Sequence, residues 1–128
     1  MNVTAPISTG ELIDKLTILE IKLGQIADRE KLDNVRREYE TLLAATPSPL
    51  LADPVLTDLR ARLKAVNAEL WRIEDDIRDH ERAQRFDAGF IALARAVYVT
   101  NDRRAALKRE INRLSGSALV EEKSYAAY

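Results

Sequence analysis

Between Pro54 and Arg82 a seam of apolar residues runs through Leu56, Leu59, Leu63, Val66, Leu70, Ile73 and Ile77, alternating in steps of three and four without a break. This spacing constrains the chain more than any other feature. A strand needs period two, whereas steps of three and four lay every apolar side chain on one stripe of an α-helix. Asp53 supplies an N-cap, and Pro54 stands at the first helical position, where its missing N–H leaves no bond unmade. Such a helix is on the order of 43 Å long and needs a neighbour of similar length to cover its stripe. The next segment offers one, with Phe90, Leu93, Val97, Thr100, Arg104, Leu107, Ile111 and Leu114 in register. Asp87 is placed to cap it, Phe86 and Ile91 to form a hydrophobic staple, and Gly116 to stop it. The short link between the two makes an antiparallel hairpin over about 54–83 and 87–115.

Upstream, Ser8 followed by Glu11 fits a capping box, and apolar residues recur at Leu12, Leu16, Leu19, Leu23 and Ile26. The pattern slips at ADREKLDN and resumes at Leu32, Val35, Tyr39 and Leu42. Residues 9–45 are therefore either one bent helix or two helices jointed near Asp28. The run ELIDKLTILEIK is apolar around so much of its circumference that it requires burial on two faces, which favours a central position or a dimer interface. Pro47, Pro49 and Pro54 make 46–53 a proline-rich connector. No run alternates with period two and no repeat is present. The expected fold is all-α: a single domain, residues 1–128, in which the hairpin packs against the N-terminal helical region as an antiparallel bundle. A tail follows over 116–128, and its Leu119, Val120, Tyr125 and Tyr128 are apolar enough that it is expected to pack back onto the bundle.

Twenty basic and twenty-one acidic residues leave a net charge of −1, which disfavours a nucleic-acid binder, since phosphate contacts demand an excess of cations. The segment MNVTAPISTG lacks a signal-peptide pattern, and the longest apolar window, FIALARAVYV, is broken by Arg95 and too short to span a bilayer. With no cysteine there is no disulfide or thiolate chemistry, and the expected location is the cytoplasm, without membrane insertion. The single histidine, His80, makes a two-histidine metal motif impossible and is expected to be solvated near a helix end.

Aromatic residues are scarce, at 5%, and Trp71 is the only tryptophan. It stands in ELWRIEDDIR. Trp71, Glu74 and Arg78 each follow a seam residue by one position and lie on a stripe turned about 100° from it, so Trp71 should meet a third element. The facing segment carries Arg95, Tyr98, Asn101, Asp102, Lys108 and Asn112. Antiparallel pairing puts Glu74 opposite about Val97 and Tyr98, and Trp71 opposite about Thr100. The expected constellation is a partly buried polar network of Trp71, Glu74, Asp75, Arg78, Arg95, Tyr98, Asn101 and Asp102. In it Glu74 lies between Arg78 and Arg95 or the Tyr98 hydroxyl, and Asp102 answers an arginine, because a buried carboxylate requires partners. Arg103, Lys108 and Arg109 are expected to form a solvated face. The competing reading makes Glu69, Glu74 and Asp75 oxygen ligands to Mg²⁺ or Mn²⁺.

The stretches ISTGELIDKLTILEIK, LWRIEDDIR, FIALARAVYVTNDRRAALKREIN and VEEKSY together resemble a family of short bacterial proteins defined as a domain of unknown function, the one numbered 6165. The pairing of LWRIED with a downstream ND and arginines is also similar to a second uncharacterised bacterial family. The resemblance marks Glu11, Asp14, Lys15 and Glu20 as an N-terminal motif, Trp71 to Asp102 as above, and Glu121, Glu122, Lys123, Ser124 and Tyr125 as a tail motif. It implies a neighbourhood of sugar-transfer and surface-polysaccharide functions and no particular activity. The expected function is that of a non-enzymatic helical adaptor or assembly protein in bacterial glycan or envelope metabolism, a homodimer with a protein partner in sugar-transfer machinery. No catalytic or metal-ligating residue is assigned and no cofactor is expected. The alternative is a metal-dependent hydrolase or transferase acting on a nucleotide or nucleotide-sugar phosphate, with Mg²⁺ or Mn²⁺ held by Glu74 and Asp75 and the phosphate by Arg78 or Arg95.

Overall fold

A computed structural model describes all 128 residues. The helices are α1 (Thr9–Gln25), α2 (Arg29–Ala45), α3 (Ser48–Ala52), α4 (Pro54–Arg82) and α5 (Ala88–Ser115), and there is no strand. The N-terminal region is two helices rather than one bent helix. Ile26 leaves the helical region with φ −80° and ψ 132°, and Asp28 opens α2 by accepting the Glu30 N–H. The proline-rich connector is more ordered than expected, since Ser48–Ala52 closes a short helix with Pro49 in its first turn, where proline is tolerated.

The caps read from the sequence form. Ser8 accepts the Glu11 N–H, Asp53 those of Val55 and Leu56, and Asp87 that of Phe90. Gly116 ends α5 in the left-handed conformation, φ 68°, as a residue without a Cβ does most readily. Two details differ. Glu11 does not return its side chain to Ser8; its carboxylate instead accepts a hydrogen bond from Lys108 Nζ, so the capping box is half formed. Phe86 meets the edge of the Phe90 ring at 5.2 Å, while Ile91 stays exposed, so the staple is aromatic.

α4 and α5 form the long antiparallel hairpin, and α1 lies across it. The start of α1 bonds to α5 through Gly10 and Glu11, Asp14 bonds to both hairpin helices, and Thr17 and Glu20 reach α4. The core holds Ile13 and Leu16 of α1, Leu56, Leu59 and Leu63 of α4, and Ile111 of α5, flanked by Tyr39, Leu42 and Leu43 of α2, Leu50 of α3 and Leu107 of α5. Seventeen residues make α1 only about 26 Å long, shorter than the hairpin it crosses. The turn end therefore projects, and Ile77, Leu93 and Val97 are only half-buried.

Candidate functional site

Helical spacing aligns three short polar stripes at the crossing. Asp14 and Thr17 lie one turn apart on α1, Asn67 follows Leu63 by one turn on α4, and Thr100, Arg104, Lys108 and Asn112 succeed one another by four on α5. Asp14, Thr17, Asn67, Thr100, Lys108 and Asn112 are all buried. The approach is close enough that a Cβ on Gly10 would sit 2.5 Å from the Lys108 carbonyl oxygen, and the Gly10 N–H instead donates to Asn112 Oδ1 at 2.6 Å.

The Asp14 carboxylate, 1% exposed, is the hub. It accepts from Arg104 Nε at 3.0 Å and from Arg104 Nη2 at 2.5 Å, a bidentate fork. Asn67 Nδ2 adds a third bond at 2.8 Å and reaches Thr17 Oγ1 at 2.9 Å. Thr17 in turn donates to the Asp14 carbonyl. The bond to Asp14 raises the Arg104 guanidinium above its ordinary pKa, against the effect of burial. One turn further, Lys108 Nζ donates to Glu11 at 2.8 Å and to Glu121 of the tail at 2.7 Å, with Asp14 at 4.0 Å. Burial pushes the Lys108 pKa down, but its hydrogen bonds to Glu11 and Glu121 and the charge of Asp14 outweigh that and leave it raised. A buried cation needs such company, so Lys108 does not belong to the solvated face expected for it.

The expected tryptophan network is not what holds the helices together. Glu74 pairs only with Arg78 of its own helix, at 3.5 Å with both side chains well exposed, and bonds to neither Arg95 nor Tyr98. Arg95 is exposed. Asp102 answers no arginine; it accepts the Tyr128 hydroxyl, which raises that phenol's pKa. Tyr98 meets the Tyr128 ring edge-on at 5.2 Å. The tail is thus tied to α5 at Lys108 and at Asp102, although every residue from Ala118 onward is exposed. His80 is half-buried, its side chain 18% exposed and 3.9 Å from Asp87 at the hairpin turn.

Five of the expected residues do converge. Trp71, Glu74, Asp75, Arg78 and Asn101 share an open groove with Arg104 of α5 and with Ile18 and Ile21 of α1, so the third element on the Trp71 side of the hairpin is α1. The Glu69–Arg103 ion pair, 3.1 Å, agrees with the expected register. Of the N-terminal motif, Asp14 and Glu11 enter the buried cluster, Glu20 pairs with Arg60 at 3.2 Å while its other oxygen is buried without a partner, and Lys15 is exposed. Of the tail motif only Glu121 makes an ion pair with the bundle; Glu122, Lys123, Ser124 and Tyr125 are exposed.

A family model described as a family of unknown function, DUF6165, matches residues 1–128. The chain belongs to DUF6165. No curated protein and no solved structure matches it. In this DUF6165 chain the buried cluster fixes the Arg104 guanidinium, 28% exposed, at the side of the Trp71 groove. Nowhere do three or more His, Asp or Glu side chains gather in an arrangement to hold a metal ion, and no helix is long and apolar enough to cross a membrane. The sequence places Lys108 and Asn112 on the facing polar stripe without pairing them to α1, and it gives no sign of Asn67 or Thr17. One signal was legible: Arg104 occupies an apolar-stripe position of α5, and a charge on a seam implies a buried counter-charge.

Proposed function

We propose that this chain is a non-enzymatic helical adaptor in the bacterial cytoplasm, a homodimer that docks a protein of the glycan- or envelope-building machinery. The observation that carries the reading is an apolar face without a partner. Ile91, Tyr98, Val99, Tyr125 and Tyr128 are 58%, 45%, 40%, 82% and 79% exposed along α5 and the tail, and tyrosines at a surface patch are characteristic anchors of protein interfaces. The glycan setting rests on the family resemblance of the motifs. Sedimentation of the wild type against a Tyr125→Ala/Tyr128→Ala variant tests the pairing: the wild type is expected as a dimer and the variant as a monomer. A wild type that stays monomeric at every concentration refutes the dimer. A photo-crosslinker at Val99 in cells tests the docking, and labelling of this chain alone, never of a glycan-assembly protein, refutes the adaptor.

A further inference from the structure

The groove between α1, α4 and α5 is separate from the tyrosine face and has a volume of about 470 Å³, within the range of roughly 300–1,000 Å³ that suits small ligands. Its electrostatics decide the class of ligand. The Arg104 charge is answered by Asp14 and that of Arg78 by Glu74, which leaves Asp75 as an uncompensated negative charge. A phosphate or carboxylate is therefore repelled rather than attracted.

The unpaired groups are of both kinds. The Trp71 indole N–H and the Asn101 amide N–H₂ are donors, and the Asp75 carboxylate is an acceptor; none has a hydrogen-bond partner in the chain, and all three residues are open to solvent in the groove. Arg104 has five N–H groups. Two are committed to Asp14, and its remaining terminal nitrogen, Nη1, has only a 3.5 Å contact with Asn101 Oδ1. A simple cation would leave these donors unmatched, and an anion would meet Asp75. A hydroxyl both donates and accepts, so a ligand rich in hydroxyls satisfies both sets. Such a ligand also needs an apolar wall for its C–H face, and Trp71 with Ile18 and Ile21 provides one.

We infer that the Trp71 groove binds a neutral carbohydrate, with Asp75 and Asn101 on its hydroxyls and Arg104 held ready by Asp14. The locked guanidinium matters because a donor already oriented loses little freedom when the ligand arrives. The inference stands on the groove alone and is independent of the adaptor reading, whose failure would be seen in sedimentation and crosslinking.

Trp71 is the only tryptophan, so its fluorescence reports this groove directly. Titrations with glucose, N-acetylglucosamine, maltose and cellobiose are compared with glucose 1-phosphate as the anionic probe and glucosamine as the cationic one. At least one neutral sugar is expected to give a saturable change with a Kd on the order of 1 mM, more tightly than either charged probe. Asp75 is exposed, so Asp75→Ala keeps the fold by circular dichroism and weakens that sugar about tenfold. The inference is overturned if no neutral sugar gives a saturable change in fluorescence or in backbone amide shifts. Tighter binding of glucose 1-phosphate than of glucose, or of glucosamine than of N-acetylglucosamine, overturns the ligand class. Unchanged affinity in Asp75→Ala overturns the site.

Discussion

Replacing Asp14 by asparagine keeps the shape of the side chain and removes its charge. The wild-type carboxylate accepts three hydrogen bonds, from Asn67 Nδ2 and from two nitrogens of Arg104. An asparagine oxygen can keep at most two of them, and its N–H₂ then faces donors. Hydrogen bonds to a charged group contribute about 1.5–3 kcal/mol each, and breaking a buried ion pair from one side costs about 3–5 kcal/mol. Arg104 remains 28% exposed, so water recovers part of its solvation and the expected loss lies at the lower end, about 3 kcal/mol. For a chain of this size that lowers Tm by roughly 10 °C. Urea unfolding followed by circular dichroism measures it. Arg104→Met removes the other partner, and the double variant is expected to be more stable than additivity predicts by about 2 kcal/mol. Glu74→Gln is the control: its pair is 49% and 75% exposed, so it should cost less than about 0.5 kcal/mol. An Asp14→Asn protein within about 0.5 kcal/mol of wild type, or strict additivity with Arg104→Met, would refute the hub.

Gly10→Ala puts a methyl 2.5 Å from a backbone oxygen and is expected to cost about 2–3 kcal/mol in the same urea assay, whereas Gly24→Ala, in open space on α1, should stabilise by up to about 1 kcal/mol. Gln84 closes α4 at φ 55°, so Gln84→Gly should raise Tm by removing strain at a left-handed position. The tail contact is pH-dependent. Lys108 holds the Glu121 carboxyl below its usual range, so the stability it adds is present above the ordinary Glu pKa and is lost as pH falls through the lowered folded value. Lys108, raised, contributes below the ordinary lysine value and loses that contribution only as pH rises through its higher one. Amide exchange across 117–128 should therefore be steady near neutrality and speed up, beyond the intrinsic trend, below about pH 4; acceleration first on the mildly alkaline side would contradict the sign.

The hairpin was legible because its signals are local. Asp53–Pro54, Asp87 and Gly116 each specify a helix end from a few neighbouring residues, and the leucine seam needs only helical spacing. Whether 9–45 was one helix or two was not legible, since the slip at ADREKLDN fits a bend or a break until Ile26 is seen in an extended conformation. The buried cluster was harder still. Asp14 lies among apolar residues on α1, and only the crossing of α1 over α5 shows that its neighbour is Arg104, ninety positions away. Trp71 drew attention because it is solitary and surrounded by charge. Those charges line a groove, while the bonds between helices are made by Asp14, Asn67, Arg104, Lys108 and Asn112, whose pairing across the crossing no local pattern shows.

The polar bonds that seat α1 join positions far apart in the chain: Gly10 to Asn112, Glu11 to Lys108, Asp14 to Arg104. Near the same crossing Thr9 donates to Ser117 at 3.4 Å, so the beginning of α1 and the end of α5 meet. Because α4 and α5 are sequential, their pairing closes a short loop, whereas seating α1 closes a loop of about a hundred residues. During synthesis α1 emerges first and can meet α2 and α4, yet its bonds to Arg104, Lys108 and Asn112 must wait until α5 is complete. Those bonds are therefore the last to be satisfied, and the finished hairpin is the scaffold on which the start of the N-terminal helix finally settles.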